Sequence, residues 1–245
     1  MKKIILNIPH AVPCQDFSRW SNPKNIKQEH DKWTDWFTDI IFAPHINHVE
    51  PVCAKLSRYD LDLERLIGDD MEKIGQGIIY TKSKNGLSCR KISITEQIQR
   101  THLYVEHHAK LVEKTQDENT LLIDCHSCPN NFTEAGNAFG EPVDVCLGFN
   151  EGETRPCNEI INLVQSTFLA HNYSVGINTP YSNSIIAHPQ CPSLMIELNK
   201  RIYMDESTLE LTDEAVKVNQ ILNEIYSKIL KFQAAPLNSS KRFLY

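Results

Sequence analysis

The sequence predicts an α/β fold, a central β-sheet with helices on both faces, and three observations lead there. Short apolar runs without polar alternation, such as Leu121-Leu122-Ile123, read as strands buried on both sides. These runs alternate with longer segments of helical periodicity. The nine glycines and twelve prolines are scattered rather than gathered into a linker, so residues 1–245 read as one domain.

The elements follow in order from periodicity. Residues 3–8 form a buried strand that Pro9 and His10 end. Residues 29–42 read as a helix, with Trp33, Trp36, Phe37, Ile40 and Ile41 on one face. A strand over 49–54 precedes a polar stretch, 57–65. Ser93-Ile94-Thr95-Glu96 is a capping-box pattern that opens a helix to Lys114, with Ile94, Ile98, Val105, His108 and Val112 as its expected inward stripe. Residues 120–124 form a strand running into Cys125-His126-Ser127. Further strands are expected over 143–147, 175–178, 184–187 and 193–198, and helices over 155–170 and 213–232. The last helix places Val218, Ile221, Leu222, Ile225, Tyr226, Ile229 and Leu230 on one stripe.

Composition narrows the function. The formal charge is −6, and no basic run exceeds two residues, so nucleic acid is not an expected partner. No apolar run approaches the roughly 20 residues of a membrane span. The opening Met1-Lys2-Lys3 is followed by too short an apolar stretch for a signal peptide, so the expected location is cytoplasmic. The eight cysteines then read as reduced thiols. Cys125 and Cys128 form an isolated C-x-x-C with no second pair at zinc-ribbon spacing. Phosphate-binding glycine loops and a G-x-S-x-G elbow are absent from the sequence.

Chemistry gathers at strand ends. Ligands collect at the carboxyl ends of strands in open α/β sheets, and two strands here end in histidine, His10 and His126. Two neutral imidazoles and a carboxylate would make a zinc-type site with an open position for water. The carboxylate is either Asp35 or Asp39, one helical turn apart. His45 and His48 follow Pro44, which argues against a joint site. Glu197 lies within the apolar strand Leu194-Met195-Ile196-Glu197-Leu198. A buried carboxylate there is either a proton-transfer group or the partner of Lys200 or Arg201. Arg58 and Arg65 are suited to gripping a substrate carboxylate, with exposed surface roles as the alternative.

Taken together, Ile8-Pro9-His10, residues 34–42, Ser57-Arg58, Asp62-Leu63-Glu64-Arg65, residues 122–127, Leu147-Gly148 and residues 196–206 resemble the N-formylglutamate amidohydrolase family. That resemblance implies a three-layer sandwich with a mixed central sheet, related to the zinc carboxypeptidase and aspartoacylase folds. It implies Zn2+, or another divalent metal, on His10, Asp35 and His126, with Asp39 the rival carboxylate. It further implies Glu197 as the catalytic group and Arg58, Arg65 and His108 as substrate-binding residues. The expected activity is hydrolysis of a small N-acyl amino acid. A short-peptide or cell-wall peptide amidase, and a binding protein without catalysis, are the alternatives. Two departures bear on the substrate. The family pattern Asp-Leu-Asn-Arg is Asp62-Leu63-Glu64-Arg65 here, which adds a negative charge, and residues 179–184 keep only part of a glycine-rich loop.

Overall fold

A computed structural model describes residues 1–130 and 142–232. Its six-stranded sheet is built from β1 (Lys3–Ile8), β2 (Val49–Cys53), β3 (Thr120–Cys128), β4 (Val145–Gly148), β5 (Val175–Ile177) and β6 (Ser193–Asn199). The strand order is β2-β1-β3-β6-β4-β5. Every neighbouring pair is parallel except β4 and β6, so the sheet is mixed and mostly parallel. A small ribbon of β7 (Met204–Asp205) and β8 (Glu210–Leu211) follows.

Side chains alternate between sheet faces, and the two faces differ in character. Ile4, Leu6 and Ile8 of β1, Leu121 and Ile123 of β3, and Leu194, Ile196 and Leu198 of β6 all point into one apolar core. Helices α4 (Asn158–Ala170) and α5 (Glu214–Lys231) contribute to it, α5 through Val218, Ile221, Leu222, Ile225, Tyr226 and Ile229, as its periodicity predicts. At roughly 1.5–3 kcal/mol for each fully buried aliphatic side chain, this face supplies most of the folding drive. Among the described residues, the opposite face holds a small apolar cluster, Ile5, Val52, Leu122 and Cys191 with Leu111 of α3 (Ile94–Lys114). Beyond it that face carries Asn7, Asp124, His126 and Glu197, all buried.

Three expectations about elements are corrected. The helix over 29–42 is two helices, α1 (Pro23–Trp33) and the single turn α2 (Thr38–Ile41). Thr34 is extended and Phe37 adopts φ 63°, and the Asp35 N–H donates to the carbonyl of His10 at 3.2 Å. Tertiary bonding to the end of β1 thus overrides the helical periodicity. Helix α3 forms as its capping box predicts, with Ser93 Oγ accepting from the Glu96 N–H at 3.3 Å and Glu96 accepting from the Ser93 N–H at 3.0 Å. Its inward residues, however, are Tyr104, His107 and Leu111, while Ile94, Ile98, Val105 and Val112 are exposed. The helix is turned by roughly a quarter turn from the purely hydrophobic expectation, because His107 takes an inward position to meet Asn7. Residues 184–187 are not a strand. Their backbone bonds to side chains instead, Ile185 N–H to Asp124 Oδ2 at 3.0 Å and the Ser184 carbonyl to Asn150 Nδ2 at 2.7 Å.

Candidate functional site

The register of the parallel strands brings the two histidines together. Asn7 of β1 pairs with Asp124 of β3, and His126 pairs with Glu197 of β6. His10, just past the end of β1, then stands with its ring centroid 5.3 Å from that of His126. The break between α1 and α2 aims Asp35 at both rings: its Oδ2 lies 3.1 Å from His126 Nδ1 and 3.7 Å from His10 Nδ1, and accepts from the Ser127 N–H at 3.2 Å. Ligands held about 2.0–2.1 Å from a tetrahedral zinc ion stand roughly 3.3 Å apart, so these separations bracket that spacing. His10, Asp35 and His126 are all buried. Asp39 is exposed on α2, so of the two rival carboxylates Asp35 is the one beside the imidazoles.

Hydrogen bonding fixes how each imidazole is oriented. His10 Nε2 is 2.9 Å from Asp62 Oδ1, and an ionised carboxylate can only accept, so Nε2 carries the hydrogen. Nδ1 keeps its lone pair, buried and without a hydrogen-bond partner. His126 Nδ1 hydrogen-bonds Asp35 Oδ2 at 3.1 Å, and its Nε2 lies 3.2 Å from Asp124 Oδ1. Two imidazole nitrogens and a carboxylate oxygen thus converge where a cation would take the place of the proton that His126 and Asp35 share. Carboxylates behind ligating histidines are the usual way of fixing ring orientation and basicity at a metal site. The residues fit a divalent metal of zinc type by these observations.

The carboxylates behind the rings are themselves held. Asp62 Oδ1 also accepts the Glu64 N–H at 3.0 Å, and Oδ2 accepts from the Tyr80 hydroxyl at 2.7 Å and from Arg58 at 3.3 Å. Burial opposes its charge, but the Arg58 guanidinium and His10 outweigh that and hold its carboxyl well below the usual range. Asp124 accepts from Asn7 Nδ2 at 2.8 Å, and Asn7 Oδ1 is 2.9 Å from His107 Nε2. A chain of contacts therefore runs from α3 through Asn7 and Asp124 to His126. Glu64, Asp124 and His126 also lie close enough to hold a cation. That set would use the other nitrogen of the same imidazole and an Asp124 already bonded by Asn7 and Ile185, so it serves better as the orienting layer of the first.

Glu197 lines the same pocket, which encloses about 230 Å³ with Trp33, Arg58, Glu64, Lys84 and Tyr181 among its walls. The two cations that follow Glu197 in sequence are spent elsewhere: Lys200 Nζ donates to the Lys32 carbonyl at 2.5 Å, and Arg201 pairs with Asp144 at 2.8 Å. Burial pushes the Glu197 carboxyl up to about 7, against the pull of His126 and with the Asp35 charge adding to it. Burial and then Asp124 push Glu64 up to about 7 as well.

Of the three residues expected to hold substrate, only Arg58 reaches the pocket wall. Arg65 does not line it; its Nε lies 3.9 Å from Asp62 Oδ2, behind His10. His108 does not line it either; it stacks near Tyr104 and contacts the Leu63 carbonyl at 3.1 Å, supporting the loop that carries Asp62 and Glu64. Its sequence neighbour His107 is the one linked to the site. The sequence assigns no role to Asn7, Asp62, His107, Lys84 or Asp124. Asn7 and Asp124 do carry a signal, each being a polar residue inside an apolar strand run, as Glu197 is.

The family model for N-formylglutamate amidohydrolase matches residues 2–204, so the chain belongs to that family. Its fold is similar to the crystal structure of an N-formylglutamate amidohydrolase from Ralstonia eutropha JMP134, with a TM-score of 0.79, 19% identity and 94% of each chain covered. It is also similar to the gene product Atu2144 from Agrobacterium tumefaciens, with a TM-score of 0.64, 14% identity and 93% and 92% of the two chains covered. No curated protein matches the sequence.

Proposed function

We propose that the protein is a metal-dependent amidohydrolase that cleaves the amide of a small N-acyl amino acid, on a fold related to the zinc carboxypeptidases. His10, Asp35 and His126 would hold the ion, zinc being the simplest match to two imidazoles and a carboxylate. Bound there, it supplies Lewis acidity toward water and the scissile carbonyl. Glu197 takes a proton from the attacking water and returns it to the leaving amine, so that amide and water become acid and amine. A carboxyl titrating near 7 is matched to both halves of that task. Arg58 orients the substrate through its carboxylate.

The observation that carries this reading is the buried, unpartnered His10 Nδ1 aimed with His126 Nδ1 at Asp35. A screen of N-formyl and N-acetyl amino acids for released acid tests it. Turnover is expected for at least one, and Glu197→Gln is expected to lower kcat about 10²–10⁴-fold while metal stays bound. Metal bound at one equivalent with no turnover on any acylated amino acid would leave a binding protein instead. A neighbouring cleft of about 470 Å³ shares Trp33 and Lys84 with the pocket, which favours short peptides as the second substrate class to test.

A further inference from the structure

The pocket has a second cation, Lys84. Lys84 lies in the tight turn that Ser83 and Ser88 close, with the Ser83 N–H donating to the Ser88 carbonyl at 2.9 Å. Both carboxylate oxygens of Glu29, on α1, accept from the Lys84 backbone N–H, at 3.0 and 2.8 Å. That clamp fixes the turn against α1 and spends the Glu29 carboxylate on backbone rather than on the ammonium. The Lys84 side chain then reaches over Trp33, with Nζ 3.3 Å from the ring centroid. Trp33 also holds the other cation, its carbonyl accepting from Arg58 at 3.2 Å.

Two cations thus line one pocket wall, tied to the same residue by its ring and its carbonyl. Arg58 has Asp62 for company, but among the described residues no carboxylate comes within ion-pair distance of Lys84 Nζ. Burial, and then the Arg58 charge, push the Lys84 ammonium down to about 8. Arg58, Arg65 and Lys32 add to that positive field and Glu29 opposes it, while the carboxylates of Asp35, Glu64 and Glu197 line the same pocket. An arrangement of like charges is relieved by an anion between them. Arg58 offers a planar fork of N–H donors and Lys84 a compact charge on a flexible stem.

We propose that Lys84 and Arg58 together form the subsite for a substrate carboxylate, with Lys84 in the role that sequence alone gives to Arg65. This rests on the N-acyl amino acid reading above and deepens it by naming what selects an acidic substrate. It also answers the Glu64 departure: the negative charge added at Glu64 sits by Asp124 and His126, and the anion is met by Lys84 on a different part of the chain.

The test is a binding cycle in a Glu197→Gln background, where turnover does not interfere. Calorimetry compares N-formylglutamate with the analogues in which one or both carboxylates are amides. In the parent, amidating one carboxylate is expected to weaken binding about tenfold or more, as for a charge-assisted hydrogen bond. In Lys84→Met that loss should shrink to within about twofold, Lys84→Arg should restore most of it, and Arg65→Met should leave it intact. The parent's preference for the carboxylate should also fall as pH rises above about 8, and the Met variant's should not. Equal binding of N-formylglutamate and its diamide, no binding of either, or a loss that persists in Lys84→Met would overturn the proposal. A parent that shows the cycle while the wild type hydrolyses nothing would keep the subsite and reject the hydrolase.

Discussion

The two faces of the central sheet are built from alternate residues of the same strands, yet one is dry and the other is charged. Ile4, Leu6, Leu121, Ile123, Leu194 and Ile196 look toward α4 and α5, while Asn7, Asp124, His126 and Glu197 look the opposite way. The difference teaches where stability and chemistry reside. Apolar burial on the first face is satisfied wherever the side chains pack. Each buried polar group on the second must find a particular partner, and His10 Nδ1 has none among the described residues.

Substitutions on the two faces should therefore separate cleanly. The largest expected effect lies on the dry face: Leu222→Ala, in the middle of α5, should cost about 2–5 kcal/mol of stability. Chemical denaturation reads that loss, and metal affinity per folded molecule should not move. A loss of metal affinity in that variant would break the distinction between the faces. Next in size is Asp62→Asn, which takes the ionised acceptor away from His10 Nε2. Its metal affinity should fall about 10–100-fold in a competition titration against a chelator.

A smaller effect has the opposite sign. Unfolding releases the Glu197 proton near 4.3, whereas the folded metal-free protein holds it to about 7. The folded state therefore binds more protons between those values, and metal-free stability falls as pH rises from about 4 to 7. Removing that charge with Glu197→Gln should raise the metal-free Tm at pH 8 by roughly 2–4 °C, about 1 kcal/mol. A lowered Tm would mean that the ionised carboxylate is stabilised by its surroundings. The smallest effect belongs to the exposed stripe of α3, where Ile98→Lys should change stability by no more than about 0.5 kcal/mol.

That last position marks the limit of what the sequence makes legible. The sheet, the long helices and the stripe of α5 follow from apolar periodicity, which is how the dry face is written. His10, His126 and Glu197 are legible too, since each is a polar residue at or inside an apolar strand. The polar face obeys pairing rather than periodicity, and pairing is set by residues distant in sequence. Ile98 is exposed because His107, on a different face of α3, bonds Asn7 a hundred residues away. The helix breaks at Thr34 because Asp35 bonds the backbone of His10. Lys84 escapes notice because nothing near it in sequence relates it to Trp33 or Arg58. Asp62, although inside a motif of the family, acquires its meaning only when its oxygens are seen on His10, Tyr80 and Arg58.

X-ray absorption at the zinc edge of protein loaded with one equivalent of zinc tests the proposed metal centre most directly. The expected spectrum shows a shell of nitrogen and oxygen neighbours at about 2.0–2.1 Å with the outer-shell signature of two imidazoles, lost when His10 and His126 are both changed to Ala. A sulfur neighbour near 2.3 Å, or a spectrum unchanged in the double variant, would contradict it.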